Sequence, residues 1–414
     1  MLNAFIGIVP FIVIAYFIYF RKKYNTNNLF VVLIFLSYMI FATNYENYGL
    51  NFDLYRYLHK FIGILLSLSL IYHVYKNGVK TLINPISGLI LLYLASILFS
   101  FIGNDLYMPH YVHYTRNFVF ISIIILFLYN KIENKDNLDE LFKLILNITL
   151  ILSVCMLIEL FIRGSITRLF LFFPNPNYLA ISLMTGFSIL LFSQSKFKVL
   201  KVLLVISAIY LTGSRAVELG VLFLILIYTF KNRQFISKKY LAAAFLVIFV
   251  VMTYFGNIIS INTDKSLINV RFAINKIAFN ILTENTINGI GYGQFRTKYA
   301  KYVDEDIKNM NFGEISMRLV KKEDMMTHND LLQIVAELGL IGMFFVMFYF
   351  YKLFIELKNL FIVNHEYFYI SISLIIGSLT FSFFHNNITS FVFWFILFLP
   401  FIMNNIYAKD RQST

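Results

Sequence analysis

The chain has 414 residues, is 59% hydrophobic and only 14% charged, and has a mean hydropathy of +0.72. No water-soluble domain of this length has that composition. The formal net charge of +13 does not point to nucleic acid, because the lysines fall in short loops between apolar runs.

A β-barrel needs short alternating strands, which the sequence does not offer. Apolar runs long enough to cross a bilayer recur instead from end to end. The fold class expected is an all-α polytopic membrane protein of about 12–13 transmembrane helices, with one large extracytoplasmic loop containing short amphipathic helices. The expected spans are roughly 3–20, 29–43, 58–75, 86–103, 118–130, 141–162, 178–193, 199–213, 216–230, 241–256, 330–351, 368–385 and 390–407. The apolar N-terminus lacks a positive n-region and a small-residue cleavage site, so it reads as the first span and not as a cleavable signal. Cys155, the only cysteine, lies in an apolar segment and reads as a free structural thiol.

The connections alternate in charge. One set, "RKKYNTNN", "KNGVK", "KIENKDN", "QSKFKVLK", "KNRQFISKKY", "YKLFIELK" and "KDRQST", holds about 18 Lys and Arg. The other set of short loops holds Arg56, Lys60, Arg116, Arg163, Arg168 and Arg215. The positive-inside rule assigns the first set to the cytoplasm, which places the N-terminus outside and the C-terminus inside. The chain then divides into a bundle of about ten spans at 1–256, a large outer loop at 257–329, and C-terminal spans with a short tail at 330–414.

Along this frame, "MPHYVHYTR" offers His110 and His113 on an outer loop, but no third ligand stands beside them, so no metal site is expected. "LTGSRAVELG" joins two apolar runs with almost no loop, which puts Arg215 at the outer boundary or within the bundle. Gly213, Ser214 and the guanidinium can together hold phosphate oxygens. Alternatively Arg215 snorkels to headgroups or pairs with Glu218. The outer loop carries about ten basic and eight acidic residues and reads as a mixed-charge folded element. Within it, "SLINVRFAINKIAFNIL" puts Val270, Ile274, Ile277 and Ile281 on one face of an amphipathic helix expected at the membrane surface, with Arg271 near its polar side. "INGIGYGQF" alternates Gly289, Gly291 and Gly293, which either lets backbone approach a ligand or permits an irregular turn.

The last motif is "THNDLLQIVAELGLIG". Thr327 is the expected N-cap of a helix beginning at His328 or Asn329. Glu337 lies about two and a half turns further on, near the same face, and is expected to pair with an arginine or to hold His328. His328 can take a proton from a hydroxyl at neutral pH, or simply cap the helix.

"TGSRAVELG", "VRFAINKIAFNIL" followed by "NGIGYGQF", and "THNDLLQIVAELGLIG", in that order, resemble the O-antigen ligase and O-antigen polymerase superfamily of bacterial surface-polysaccharide assembly. The resemblance covers roughly 200–350; the N-terminal half matches only as generic spans. It implies an inverting, metal-independent glycosyltransferase without cofactor, in the bacterial inner membrane, with its site facing the periplasm. Its donor and acceptor would be undecaprenyl-diphosphate-linked oligosaccharides, its surroundings membrane lipids, and its further partners a chain-length regulator and a flippase; nucleic acid has no place in it. Arg215, Arg271 and Arg296, with Gly289, Gly291 and Gly293, would hold the diphosphate. His328 would receive the acceptor proton and Glu337 would position it or an arginine. The Ile/Asn/Lys/Phe-rich composition, typical of polysaccharide loci, favours the polymerase over the ligase by association. Glu218 stands where the family suggests a small or apolar residue. A flippase or other transporter is the alternative of another class, but it calls for polar or broken spans near mid-bilayer and paired repeats. A purely structural protein leaves Arg215 and Glu337 unexplained.

Overall fold

The computed structural model describes residues 74–164, 175–232, 266–309, 326–388 and 390–413, with isolated positions before and between these segments. The expected spans at 3–20, 29–43 and 241–256, and most of 58–75, lie outside the described residues. The others are helices: α1 (Pro85–Phe99), α2 (Met108–Lys131), α3 (Lys135–Arg163), α4 (Pro176–Phe192), α5 (Lys198–Leu211) and α6 (Arg215–Lys231). The outer loop contributes α7 (Ser266–Glu284), α8 (Phe295–Lys298), a 3-10 turn (Tyr299–Tyr302) and α9 (Glu305–Asn309). Then follow α10 (Asp330–Val363), α11 (His365–Ser382) and α12 (Phe391–Ser413). The described residues contain no strand, and the chain is an all-α membrane protein. Met108–Lys131, Lys135–Arg163, Asp330–Val363 and Phe391–Ala408 have the length and composition to cross a bilayer.

The asparagines in the connections explain where several helices start. Asn84, Asn134, Asn175, Asn329 and Asn364 are N-caps whose side chains accept a backbone N–H of the first turn. An unpaired amide at a membrane boundary is costly, and a short carboxamide satisfies it locally. The helix expected to begin at His328 or Asn329 with Thr327 as its cap begins at Asp330 and is capped by Asn329, while Thr327 Oγ1 donates to the Asn329 carbonyl instead.

α6 packs most extensively on α11, and α4 fits against both. Met184 lies where Gly220 and Gly377 bring α6 and α11 together. The Lys231 ammonium lies over the rings of Phe192 and Tyr369, at 5.2 and 5.3 Å, so the end of α6 meets the end of α4 and the start of α11. Their opposite ends accordingly gather at the other pole of the bundle. That pole collects the loops around 100–107, 212–215, 285–295, 326–330 and 383–388, with Arg168 and Leu169, all from connections assigned above to the outside.

α7 confirms the amphipathic pattern but not its expected place. Ile274, Ile277 and Ile281 are buried with Ile290, Phe295, Tyr299 and Ile307 in a small core of the outer loop, reaching Ala336 of α10. The apolar face is covered by its own chain. Cys155 is buried and free, as expected.

α10 is broken at Gly339 (φ 61°, ψ −151°). The glycine turn fills the break. Ile290 and Gly291 donate to the carbonyls of Ala336 and Glu337 at 3.1 and 3.0 Å, while Leu340 and Ile341 donate to Thr286 and Ile287 at 2.8 and 3.3 Å. These bonds replace the helical ones lost at the break. A Cβ on Gly339 would lie 2.4 Å from the Ile287 carbonyl oxygen, in a backbone region open only to glycine. Gly339→Ala is therefore expected to destabilise the protein by at least about 2 kcal/mol, seen as a lowered midpoint in thermal melting of the purified protein, whereas Ala at exposed Gly88, which meets no neighbour, is expected to leave it unchanged.

Candidate functional site

Two loops at this pole are tied to the start of α10 by buried carboxylates. Asp330, fully buried, accepts the backbone N–H of Asn387 at 2.7 and 2.9 Å and that of Ile388 at 2.9 Å. Two turns on, fully buried Glu337 accepts from Gly293 N–H at 2.9 Å, Phe295 N–H at 3.1 Å and Gln333 Nε2 at 3.3 Å. Gln333 links the two loops, since its Oε1 accepts from Asn386 Nδ2. Asn386 also donates to Thr327 Oγ1 at 3.3 Å. Glu337 thus binds backbone amides, and neither the paired arginine nor the His328 contact expected from the sequence is its anchor.

The three glycines have their amides turned inward. Gly289 N–H donates to Asn285, Gly291 N–H to the Glu337 carbonyl and Gly293 N–H to the Glu337 carboxylate. A Cβ on Gly289 would lie 2.4 Å from the Glu337 carbonyl carbon, and one on Gly291 would lie 2.2 Å from Leu106. The close approach that glycine permits here is to α10 and the 100–107 loop, and none of the three glycine amides is free for the diphosphate role assigned above. The same turn is fastened to the α1–α2 connection by Tyr292 N–H to Ser100 Oγ (3.1 Å), Asn104 Nδ2 to Gly289 O (3.1 Å) and Tyr107 N–H to Gln294 Oε1 (2.7 Å). Tyr292 is fully enclosed there, which pushes its phenol pKa upward.

Around this scaffold stand the cations. Arg215 opens α6, is exposed, and makes no hydrogen bond or ion pair with a described residue, though it is within electrostatic reach of Glu218 and Arg168. Arg168 donates to the Thr212 carbonyl (3.2 Å) and Asn177 Oδ1 (3.3 Å), and so fastens the 212–215 turn to the start of α4. Two guanidinium groups face one buried carboxylate, Glu218, so the turn keeps a positive excess. The sequence reading counted Arg168 only as a loop charge; its contact with Thr212, 44 positions away, has no local signature. Arg296 reaches the Tyr114 hydroxyl on α2 and acts on Glu337 and His113. Arg271 falls on α7, and its side chain lies outside the described ones. Lys298 donates to the Ile290 carbonyl at 3.1 Å, and its burial lowers its pKa. His113 has its ring nitrogens 3.1 and 3.2 Å from Arg116 and Asn117, and no three potential metal ligands converge among the described residues.

His328 is half-buried and has φ 51°, a left-handed backbone that few residues adopt. It is held there between Thr327, whose Oγ1 accepts the Asn329 N–H at 3.3 Å, and the Asn329 cap. Its ring stands edge-on to His385, with 6.5 Å between ring centres. His385 lies in "FFHNN" after α11 and was not singled out from the sequence; a polar run between two apolar helices was the available signal.

The pole therefore combines cations suited to a polyanion with imidazoles suited to a hydroxyl. The family model for O-antigen ligase matches residues 199–347. This segment belongs to the O-antigen ligase and polymerase superfamily. No curated protein matches the chain. The superfamily segment runs from α5 past the Gly339 break. It contains Arg215, Arg271, the glycine turn, Arg296, His328 and Glu337, and leaves out Arg168 and His385. A membrane glycosyltransferase of this superfamily is the enzyme class that follows, with lipid-linked glycans as substrate class.

Removing the Glu337 carboxylate leaves two buried amides without acceptors. Each such loss costs about 1–3 kcal/mol, so Glu337→Ala is expected to lower stability by about 2–6 kcal/mol and to expose the 285–295 turn to protease. Glu337→Gln keeps one acceptor oxygen and is expected to lose about half as much in the same melting and proteolysis measurements.

Proposed function

We propose that the chain is an inverting, metal-independent glycosyltransferase that polymerises undecaprenyl-diphosphate-linked repeat units on the outer face of the bacterial inner membrane. The observation that carries this reading is the unpaired guanidinium of Arg215 at the same pole of the bundle as the His328 imidazole, within the superfamily segment.

In this reading Arg215, with Arg168 beside it and Arg271 and Arg296 on the outer loop, binds the diphosphate of the donor. Guanidinium groups stay protonated and grip phosphate oxygens bidentately. They offset the negative charge that grows on the leaving oxygen, a contribution of several kcal/mol. His328 accepts the proton of the attacking hydroxyl. Glu337 and the glycine turn act on geometry: they hold α10 and the outer loop in one frame, so that the cations and the imidazole keep their spacing. The prenyl tail stays in the bilayer, which requires the transfer at the membrane boundary. The activated donor supplies the driving force, and no nucleoside triphosphate is needed. A chain-length regulator and a flippase are the partners this role calls for.

The family description names ligases, which favours a second reading: the same donor chemistry with lipid A core as acceptor. The two separate in a deletion strain. Loss of a polymerase leaves core capped with single repeat units; loss of a ligase leaves free core and accumulated lipid-linked polymer.

Arg215→Ala and His328→Ala are each expected to lower polymer formation at least about a hundredfold, with membrane protein levels unchanged, read on gels of surface polysaccharide from cells carrying the variant as sole copy. Arg215→Lys is expected to recover only a small part, since an ammonium lacks the two-pronged geometry. Wild-type-length polysaccharide from either Ala variant would remove the assignment.

A further inference from the structure

The segment after α11 is built into the site without belonging to the superfamily segment. Asp330 and Gln333, on the first turns of α10, hold it through the amides of Asn387 and Ile388 and the side chain of Asn386. Trp394 Nε1 adds a bond to the Ile388 carbonyl at 2.7 Å. Such bonding fixes the loop to the first turns of α10, two and five positions after His328, and a loop that only connected α11 to α12 would not need it.

Three observations point to a ligand. The first is the placement of His385. Its ring lies against Phe381, with centres 4.8 Å apart, one turn earlier. It faces His328 edge-on at 6.5 Å, the wide end of the edge-to-face range. The two imidazoles are thus neighbours at this pole, near enough for one bound hydroxyl to reach both. The second is Asn387. Its residue is fully buried, yet neither its side-chain nitrogen nor its oxygen has a hydrogen-bond partner among the described residues. A buried carboxamide left this way costs free energy unless a water or a substrate group completes it. The third is the positive φ of His328, a strained backbone of the kind that gathers at functional sites.

We infer that His385 is an acceptor-binding residue: the attacking sugar hydroxyl sits between the imidazoles of His328 and His385, and the loop at 385–388, with Asn387, forms the wall against which the acceptor sugar lies. This rests on the glycosyl-transfer reading given above and adds the half of the site that binds the acceptor. His328 and His385 divide the work. In the step, the acceptor oxygen bonds to the anomeric carbon of the donor. The bond from that carbon to the diphosphate oxygen breaks, and its electron pair leaves with the diphosphate. The hydroxyl proton passes to His328, while the His385 N–H holds the oxygen in line and carries no proton away.

The role is that of a hydrogen-bond donor, which separates it from packing. His385→Gln keeps a donor; His385→Phe keeps the ring stacked on Phe381 and has none. The full-length protein in membranes is supplied with undecaprenyl-diphosphate-linked repeat units extracted from cells lacking this chain, and the rate of joining is followed beside wild type and His328→Ala. With both variants melting within a few degrees of wild type, His385→Gln is expected to work within about tenfold of wild type, and His385→Phe to fall about a hundredfold or more. His385→Leu replaces the Phe variant if the latter fails to fold. Near-wild-type joining by His385→Phe, or equal loss in the Gln and Phe variants, overturns the inference while an inactive His328→Ala leaves the proposed function standing. An active His328→Ala brings down both.

Discussion

Buried carboxylates that accept backbone amides hold this pole of the bundle together. Glu159 of α3 accepts the Leu171 N–H at 3.1 Å, Asp330 accepts those of Asn387 and Ile388, and Glu337 those of Gly293 and Phe295. Each ties a connecting loop to a helix. Taking a carboxylate out of water costs several kcal/mol, and a hydrogen bond to a charged group returns about 1.5–3 kcal/mol. Two or three such bonds roughly cancel the burial. What the carboxylates contribute is therefore position more than net stability. A carboxylate with fixed amides leaves the loop one place to sit, and three loops so tied, two of them by two amides and one by a single amide, define the surface on which the cations and imidazoles stand.

The same bonding decides which arginines stay charged and unmatched. Glu159 also meets Arg163, at 2.6 Å, so that cation is neutralised where it stands. Glu337 and Asp330 are occupied by amides. Had Glu337 paired with an arginine of the outer loop, as its place in the sequence suggests, it would have cancelled the charge that a diphosphate requires. Glu218 alone remains to oppose Arg168 and Arg215, and one carboxylate cannot cancel two guanidinium groups. The acids of this pole thus build the frame and leave the positive charge in place. The cluster of Lys276 with Asp304 and Asp306, by contrast, lies at the partly exposed surface of the outer loop and adds little.

Hydropathy alone located the helices from Pro85 to Lys231 and from Asp330 onward, because twenty apolar residues in succession have few other uses. Periodicity also found α7. What covers its apolar face was not legible: Ile274 and Ile277 meet Phe295 and Ile307, and no pattern within one helix names its partner. The glycines show the same limit. Alternating glycine says that backbone must come close to something, and both a ligand and another backbone satisfy it; here the neighbour is the break in α10, some fifty positions on. Glu337 was legible as a residue in need of a partner, but not as a receiver of amides, since every residue has one. Arg168 and His385 were missed because their contacts join positions far apart in sequence with no motif around them. Motif reasoning finds residue types; the pairing of loops that makes a site is a property of the packed bundle.

Helix length adds the last constraint. α5 and α6 have 14 and 17 residues, about 21 and 25 Å at 1.5 Å per residue. The hydrocarbon layer is about 30 Å thick. Lys198 and Lys231 mark the polar boundary at the far pole, so the Thr212–Arg215 turn stops short of the near one. Around it α3, with 29 residues, exceeds the layer, and the chain after it folds back until Leu169 N–H meets the Leu211 carbonyl at 2.9 Å. By length alone the turn ends below the level that the longer helices reach, and Arg215 is exposed there. A soluble anion has no need of a recessed cation, because one at the surface serves it as well. A diphosphate tethered to a prenyl chain is drawn down toward the acyl region by its own tail, and only a cation placed below the boundary meets it without pulling that tail into water. In the function proposed above, the short helices and an arginine without a partner among the described residues answer one requirement, a ligand that is ionic at one end and hydrocarbon at the other.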